Sequence, residues 1–172
     1  TTIGIIGFSL PLEDKDEIEK FINSAPTDVM QSIIEDNTTL DNKHYTGDTA
    51  NLIKTIENMP GYVFWMGTNG QILGCNHNQS LLLGYDSPGN LIGKYPSEFL
   101  IAEHAKEAIE SLTKIVATGK PIIKEEIYKS TDDFLVMISH KTPIKNNDGK
   151  VIGIMIISID ISKNKKHEIK LE

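Results

Sequence analysis

TPIKNNDGKVIGIMIISIDIS, residues 142–162, is the stretch whose reading decides the fold. Asn147-Asp148-Gly149 supplies the residue types that a tight turn needs at positive φ. Val151 to Ile161 is almost continuously apolar and rich in β-branched side chains, so it reads as a strand. Phe134 to Ile144, before the turn, has the same character. In it Leu135, Met137 and Ser139 alternate with Val136, Ile138 and His140, the period of a strand. Ile122 to Lys129 is a third strand, and no helical pattern separates the three.

Working back from this meander, Ala105, Ala108, Ile109, Leu112, Ile115 and Val116 recur at helical spacing. They predict a helix over about 102–118, stopped by Gly119. Earlier still, Tyr62-Val63-Phe64-Trp65-Met66 is a strand, Asn69-Gly70 a hairpin turn, and Gln71 to Cys75 the return strand. Asn76 is placed to cap a short helix through Leu81, Leu82 and Leu83 that Gly84 ends. Asp48 or Thr49 would cap a further helix with Leu52, Ile53, Ile56 and Met59 on one stripe, stopped by Pro60-Gly61. Two strands, several helices and then three strands is an α+β pattern with a five-stranded antiparallel sheet and helices on one face.

The 172 residues leave room for one such domain and little more. Residues 1–47 read as a mostly helical N-terminal extension with one short strand, and 163–172 as the start of a C-terminal linker helix. All 17 basic residues are Lys against 24 acids, a net charge of −7. Residues 1–50 hold ten acids and three Lys, so they carry the whole imbalance. An acidic chain without Arg argues against nucleic acid as a partner, because phosphate and base-edge readout lean on Arg. The lone Cys75 excludes an internal disulfide and a Cys-based structural zinc site, and fits a reducing, cytoplasmic setting. No apolar run approaches the roughly 20 residues that span a bilayer. The chain opens without Met and reads as a piece of a longer protein, whose remainder could be membrane-attached. The glycines of TTIGIIGFSL do not form a phosphate loop, since Pro11 sits where the helix would have to start.

The order of elements over 48–162 resembles the PAS family. The motifs that carry the resemblance are GTNGQILGCNHNQ, LLLGYDSPGNLIGK, PIIKEEIYKS and the closing stretch quoted first. Asp160-Ile161-Ser162 stands where the family has a terminal Asp-Ile-Thr. The resemblance implies a sensory or dimerising module of a bacterial signalling protein, most often a sensor histidine kinase of a two-component system. It implies a cavity between sheet and helices, and a relay through the last strand into a helix leading to an output domain. Asp160, Ile161 and Ser162 would be that relay. The expected partners are a second copy of the chain, met largely through the amphipathic helix around Leu52, Ile53 and Ile56 and the exposed sheet face, the output domain and a small-molecule ligand. The plain reading of Asp160 is a cap for the next helix. Candidate cavity-lining residues are Phe64, Met66, Leu73, Cys75, Leu82, Ile92, Phe99, Leu112, Ile115, Ile127, Met137 and Ile156, and most positions of this kind serve simply as core. Trp65 falls on the opposite face from Phe64 and Met66, and the sequence leaves open which face is inward.

Three residues invite catalytic or cofactor readings. His140, in FLVMISHKTPI, looks like the phospho-acceptor box of a histidine kinase. That box lies on a helix with Pro five residues on, whereas Pro143 is three residues on and the periodicity is that of a strand. His104 or His77 could offer one axial ligand to haem, but haem-binding relatives commonly add Arg and this chain has none. Cys75 lies on a strand ahead of Asn76, not in the Gly-x-Asn-Cys-Arg motif of flavin photoreceptors, so it reads as a small buried hydrophobe. The sequence requires no cofactor, has no metal-ligand spacing, and brings together no nucleophile, base and orienting group, so the chain is not expected to be an enzyme.

Overall fold

The computed structural model describes residues 54–129, 134–163 and 165. After a helical stretch over 54–57, the elements run β1 (Tyr62–Gly67), β2 (Ile72–Cys75), α1 (His77–Leu82), two 3-10 turns (Pro88–Asn90 and Pro96–Glu98), α2 (Ala102–Thr118), β3 (Ile122–Lys129), β4 (Phe134–Lys145) and β5 (Val151–Asp160). The extension expected over 1–47, Leu52 and Ile53 of the first helix, and residues 166–172 lie outside the described residues.

The five strands form one antiparallel sheet in the order β2-β1-β5-β4-β3. The last strand in sequence is therefore the middle one in space. Both of its faces are covered, which explains why its sequence is a nearly continuous apolar run rather than an alternation. On one face, Met155, Ile157 and Ile159 pack with Val63, Trp65 and Ile138 beneath Ile56 and Met59 of the 54–59 segment. On the other, Ile154 and Ile156 pack with Met66, Ile72 and Cys75 against Leu112 and Ile115 of α2. The β1–β2 turn forms at Asn69-Gly70 as read. Gly70 adopts φ +84°, and the Asn69 side chain accepts a hydrogen bond from the Gln71 amide at 3.0 Å.

Trp65 falls on the face away from α2, and its indole lies across its cross-strand partner Gly74. A Cβ at Gly74 would sit 2.1 Å from indole Cζ2. The glycine is there because the ring occupies the space a side chain would need. Gly74→Ala is therefore expected to cost about 3 kcal/mol, the upper range for overpacking, since an indole only 1% exposed has nowhere to move. Urea unfolding followed by the fluorescence of the chain's single Trp would measure it.

Candidate functional site

Strand alternation gives β3 an inverted polarity. Lys124, Glu126 and Tyr128 lie on the side of the sheet covered by α2. Ile123 and Ile127 project from the other side, 47% and 50% exposed. β4 presents Ser139 and Lys141 to the α2 side, and β5 presents Ser158, cross-strand partner of Ser139. Glu126, Ser139, Lys141 and Ser158 are all buried.

These groups close into a hydrogen-bonded cluster centred on the Glu126 carboxylate. Lys141 Nζ donates to Oε1 at 2.6 Å. Ser139 Oγ donates to Oε2 at 2.7 Å, and Tyr128 OH donates to the same oxygen at 3.3 Å. Ser139 has one proton and spends it on Glu126, so Ser158 is the donor in the 2.8 Å contact between the two serines. Lys141 Nζ also reaches Ser111 Oγ of α2 at 3.3 Å. Burial, followed by the charge of Glu126, pushes the Tyr128 phenol far above its usual range and keeps it a donor. The cluster thus ties α2 to three adjacent strands, including the central one.

At its outer edge Lys124 pairs with Glu107 at 2.8 Å. His104 packs on Tyr128 with the rings tilted by 50° and their centroids 4.6 Å apart, and approaches Glu107 at 3.7 Å. The imidazole weighed above as a haem ligand is engaged with these neighbours. Among the described residues, no group of three or more His, Cys, Asp and Glu side chains could hold a metal ion.

Of the proposed lining residues, Met66, Cys75, Leu112, Ile115 and Ile156 join the core beneath α2, with Phe64 and Phe99 packed on it. Met137 and Leu82 lie in a smaller cluster with Tyr62 and Tyr128. Ile92 is half-buried between the 3-10 turns. Two residues lie elsewhere. A bulge between Trp65 and Met66 makes Ile72, not Leu73, the partner of Met66. Leu73 is therefore turned to the Trp65 side. Ile127 points away from α2 because Glu126 and Tyr128 take the inward positions of β3. The Cys75 thiol is pushed up to about 12 by burial and then by Glu57, so it stays neutral near pH 7. His140 is buried on β4, on the face away from α2.

The residues after β5 form a fastened exit. Asp160 Oδ1 accepts from the Ser162 amide at 2.8 Å, an Asx turn that starts the next helical turn. Ser162 Oγ accepts from the Val136 amide at 2.8 Å. The Ile161 amide donates to the Val136 carbonyl at 2.8 Å. Ile161 packs on the Trp65 cluster.

The family described as "PAS fold" matches residues 56–166. Among solved structures, the fold is similar to the Vibrio cholerae VqmA dimer in the absence of target DNA, a structure that bears on DNA binding by LuxR-type receptors (TM-score 0.61, 22% identity, covering 70% of this chain and 53% of that one). It is also similar to the PAS domain of Bordetella pertussis BvgS (0.58, 21%, covering 72% and 98%). A third is a sensory box sensor histidine kinase from Vibrio cholerae (0.52, 15%, covering 66% and 90%). The chain spans 58%, 53% and 52% of the VqmA chains it matches. No curated protein matches the chain. No helix of the described residues is long and apolar enough to cross a membrane.

Proposed function

The chain belongs to the PAS family, and from that premise we propose that it is the sensory and relay module of a bacterial signalling protein. In this reading a small ligand acts on the sheet face beneath α2, and the response leaves through β5. One observation carries it: the helix-covered face holds the Glu126 cluster, and that cluster includes Ser158 of β5, two residues before Asp160. A disturbance at Glu126 thus has a hydrogen-bonded route into the strand that ends at the fastened exit. The module carries no catalysis of its own. The parent protein is cytoplasmic or membrane-attached, and its output domain is a histidine kinase or, as the VqmA likeness suggests, a DNA-binding domain. DNA contact would then belong to that other domain, because this chain is acidic and has no Arg.

The dimer contact also enters as a proposal. Ile56 and Met59, described members of the apolar stripe before β1, are buried within the chain's own core. The contact is therefore assigned to the outer face of β3, where Ile123 and Ile127 remain half exposed. Sedimentation giving a monomer at high concentration would remove this part. Thermal-shift screening with small molecules tests the sensor reading, since a ligand of the folded state raises stability by mass action. A haem or flavin reading predicts a visible absorption band of the purified protein.

Asp160→Ala separates capping from relay. Loss of the Asx contact is expected to cost about 0.5–2 kcal/mol, leaving the domain folded. In the full-length protein the same change is expected to uncouple ligand from output. Unaltered signalling by the variant would refute the relay role.

A further inference from the structure

Three donors from two strands converge on the Glu126 carboxylate. Lys141 Nζ takes one oxygen, and the hydroxyls of Ser139 and Tyr128 take the other. Ser111 and Ser158 support them from α2 and β5. One ammonium and two hydroxyls are the complement of a monoanion with two acceptor oxygens. A phosphate would bring a third oxygen and further charge, whereas only Lys141, Ser139 and Tyr128 donate to the carboxylate among the described residues. A neutral ligand in place of Glu126 would leave the buried ammonium without a counter-charge. The carboxylate itself comes from β3, one of the two edge strands of the sheet. Lys124, two residues back on the same face, is 41% exposed and held protonated by its bond to Glu107, with Glu126 adding to the same effect. A displaced Glu126 therefore has a second cation to turn to at the rim.

We propose that the Lys141, Ser139 and Tyr128 donors form a receptor for a small organic monocarboxylate, which Glu126 fills here as an internal stand-in and which a ligand enters by exchanging with it. Met137 and Ile156, the cross-strand partners of Glu126 and Lys141, offer apolar surface to a short ligand body. The inference rests on the sensor reading above and names the ligand class for it.

The test uses the 172-residue chain with acetate and propionate as probes and sodium chloride at equal ionic strength as control. In Glu126→Ala, acetate is expected to restore stability saturably, raising Tm by about 3–6 °C near ten times its dissociation constant. Adding Lys141→Met to that variant should abolish the effect. In the wild-type chain, propionate should shift the Ser139, Lys141 and Glu126 amide resonances saturably. That titration decides the question if Glu126→Ala does not fold. Acetate and chloride curves that superimpose in the folded variant overturn the receptor, and unmoved wild-type amides overturn the exchange. If uncharged small molecules move those amides and carboxylates do not, the ligand class is wrong and the sensor reading stands. If no small molecule moves them, the sensor reading itself falls.

Discussion

Lys141→Met is expected to destabilise the domain by about 3–5 kcal/mol, the cost of stranding one partner of a buried ion pair. The pair is buried and 2.6 Å apart. Met fills nearly the same volume as Lys, so packing changes little and the effect isolates the charge. What remains is a carboxylate held under α2 with two hydroxyl donors and no hydrogen-bonded cation, Lys124 at the rim being paired with Glu107. The opposite control carries the argument. Glu126→Gln combined with Lys141→Met removes both charges while leaving an acceptor for Ser139 and Tyr128. It should recover most of the loss, because replacing both ions costs far less than orphaning one. Urea unfolding of the wild type, both single variants and the double variant closes a thermodynamic cycle. A coupling energy below about 0.5 kcal/mol, within the error of additive sites, would mean that the pair is energetically idle.

Why this cluster escaped a reading of the sequence is a matter of strand parity. In Ile122–Lys129 the apolar Ile123 and Ile127 alternate with Lys124, Glu126 and Tyr128. Burial of apolar side chains alone would turn the isoleucines inward. The register does the opposite, and the exposed isoleucines are compensated by a polar set in which the described donors and acceptors find one another. A legible hint was present. Lys141 and Ser158 interrupt otherwise apolar strands, and an opposite charge lies on the neighbouring strand. Strand pairing alone does not bring them together, because Glu126 lies opposite Met137 and Lys141 opposite Ile122, and the two meet only through the diagonal reach of the lysine side chain. The bulge that turned Leu73 to the Trp65 face left no such trace. The elements themselves were legible, because each rests on local chemistry: Asn-Gly and Asn-Asp-Gly at turns, a 3.6-residue stripe in α2, strand-period alternation in β4 and a nearly continuous apolar, β-branched run in β5. The central place of β5 follows from its lack of alternation, a pattern that only a strand covered on both faces tolerates.

The second large effect is expected at Asn76, read from sequence as a cap and found to do more. Its Oδ1 accepts from the Gln79 amide at 3.0 Å, capping α1, and from the Val63 amide at 3.1 Å, extending the β2 edge onto β1. Its Nδ2 donates to the Gly61 carbonyl at 3.1 Å and the Met59 carbonyl at 3.4 Å, tying in the segment that enters β1. The Asn76 amide completes the pairing by donating to the Val63 carbonyl at 2.9 Å. The residue is fully buried, so water cannot replace what its side chain supplies. Asn76→Ala loses the cap, worth about 1 kcal/mol. It also orphans the buried Val63 amide, worth a further 1–3 kcal/mol or so. Gly61 O keeps Asn78 as a donor and adds little to the loss. The total is about 2–4 kcal/mol, above what an exposed helix cap would cost. Asn76→Asp keeps both acceptor contacts but sets a carboxylate oxygen against two carbonyls, so it should recover only part of the stability. Chemical denaturation of the three proteins measures the order, wild type above Asp and Asp above Ala. An Ala variant within 1 kcal/mol of wild type would show that the junction of β1, β2 and α1 does not depend on this side chain.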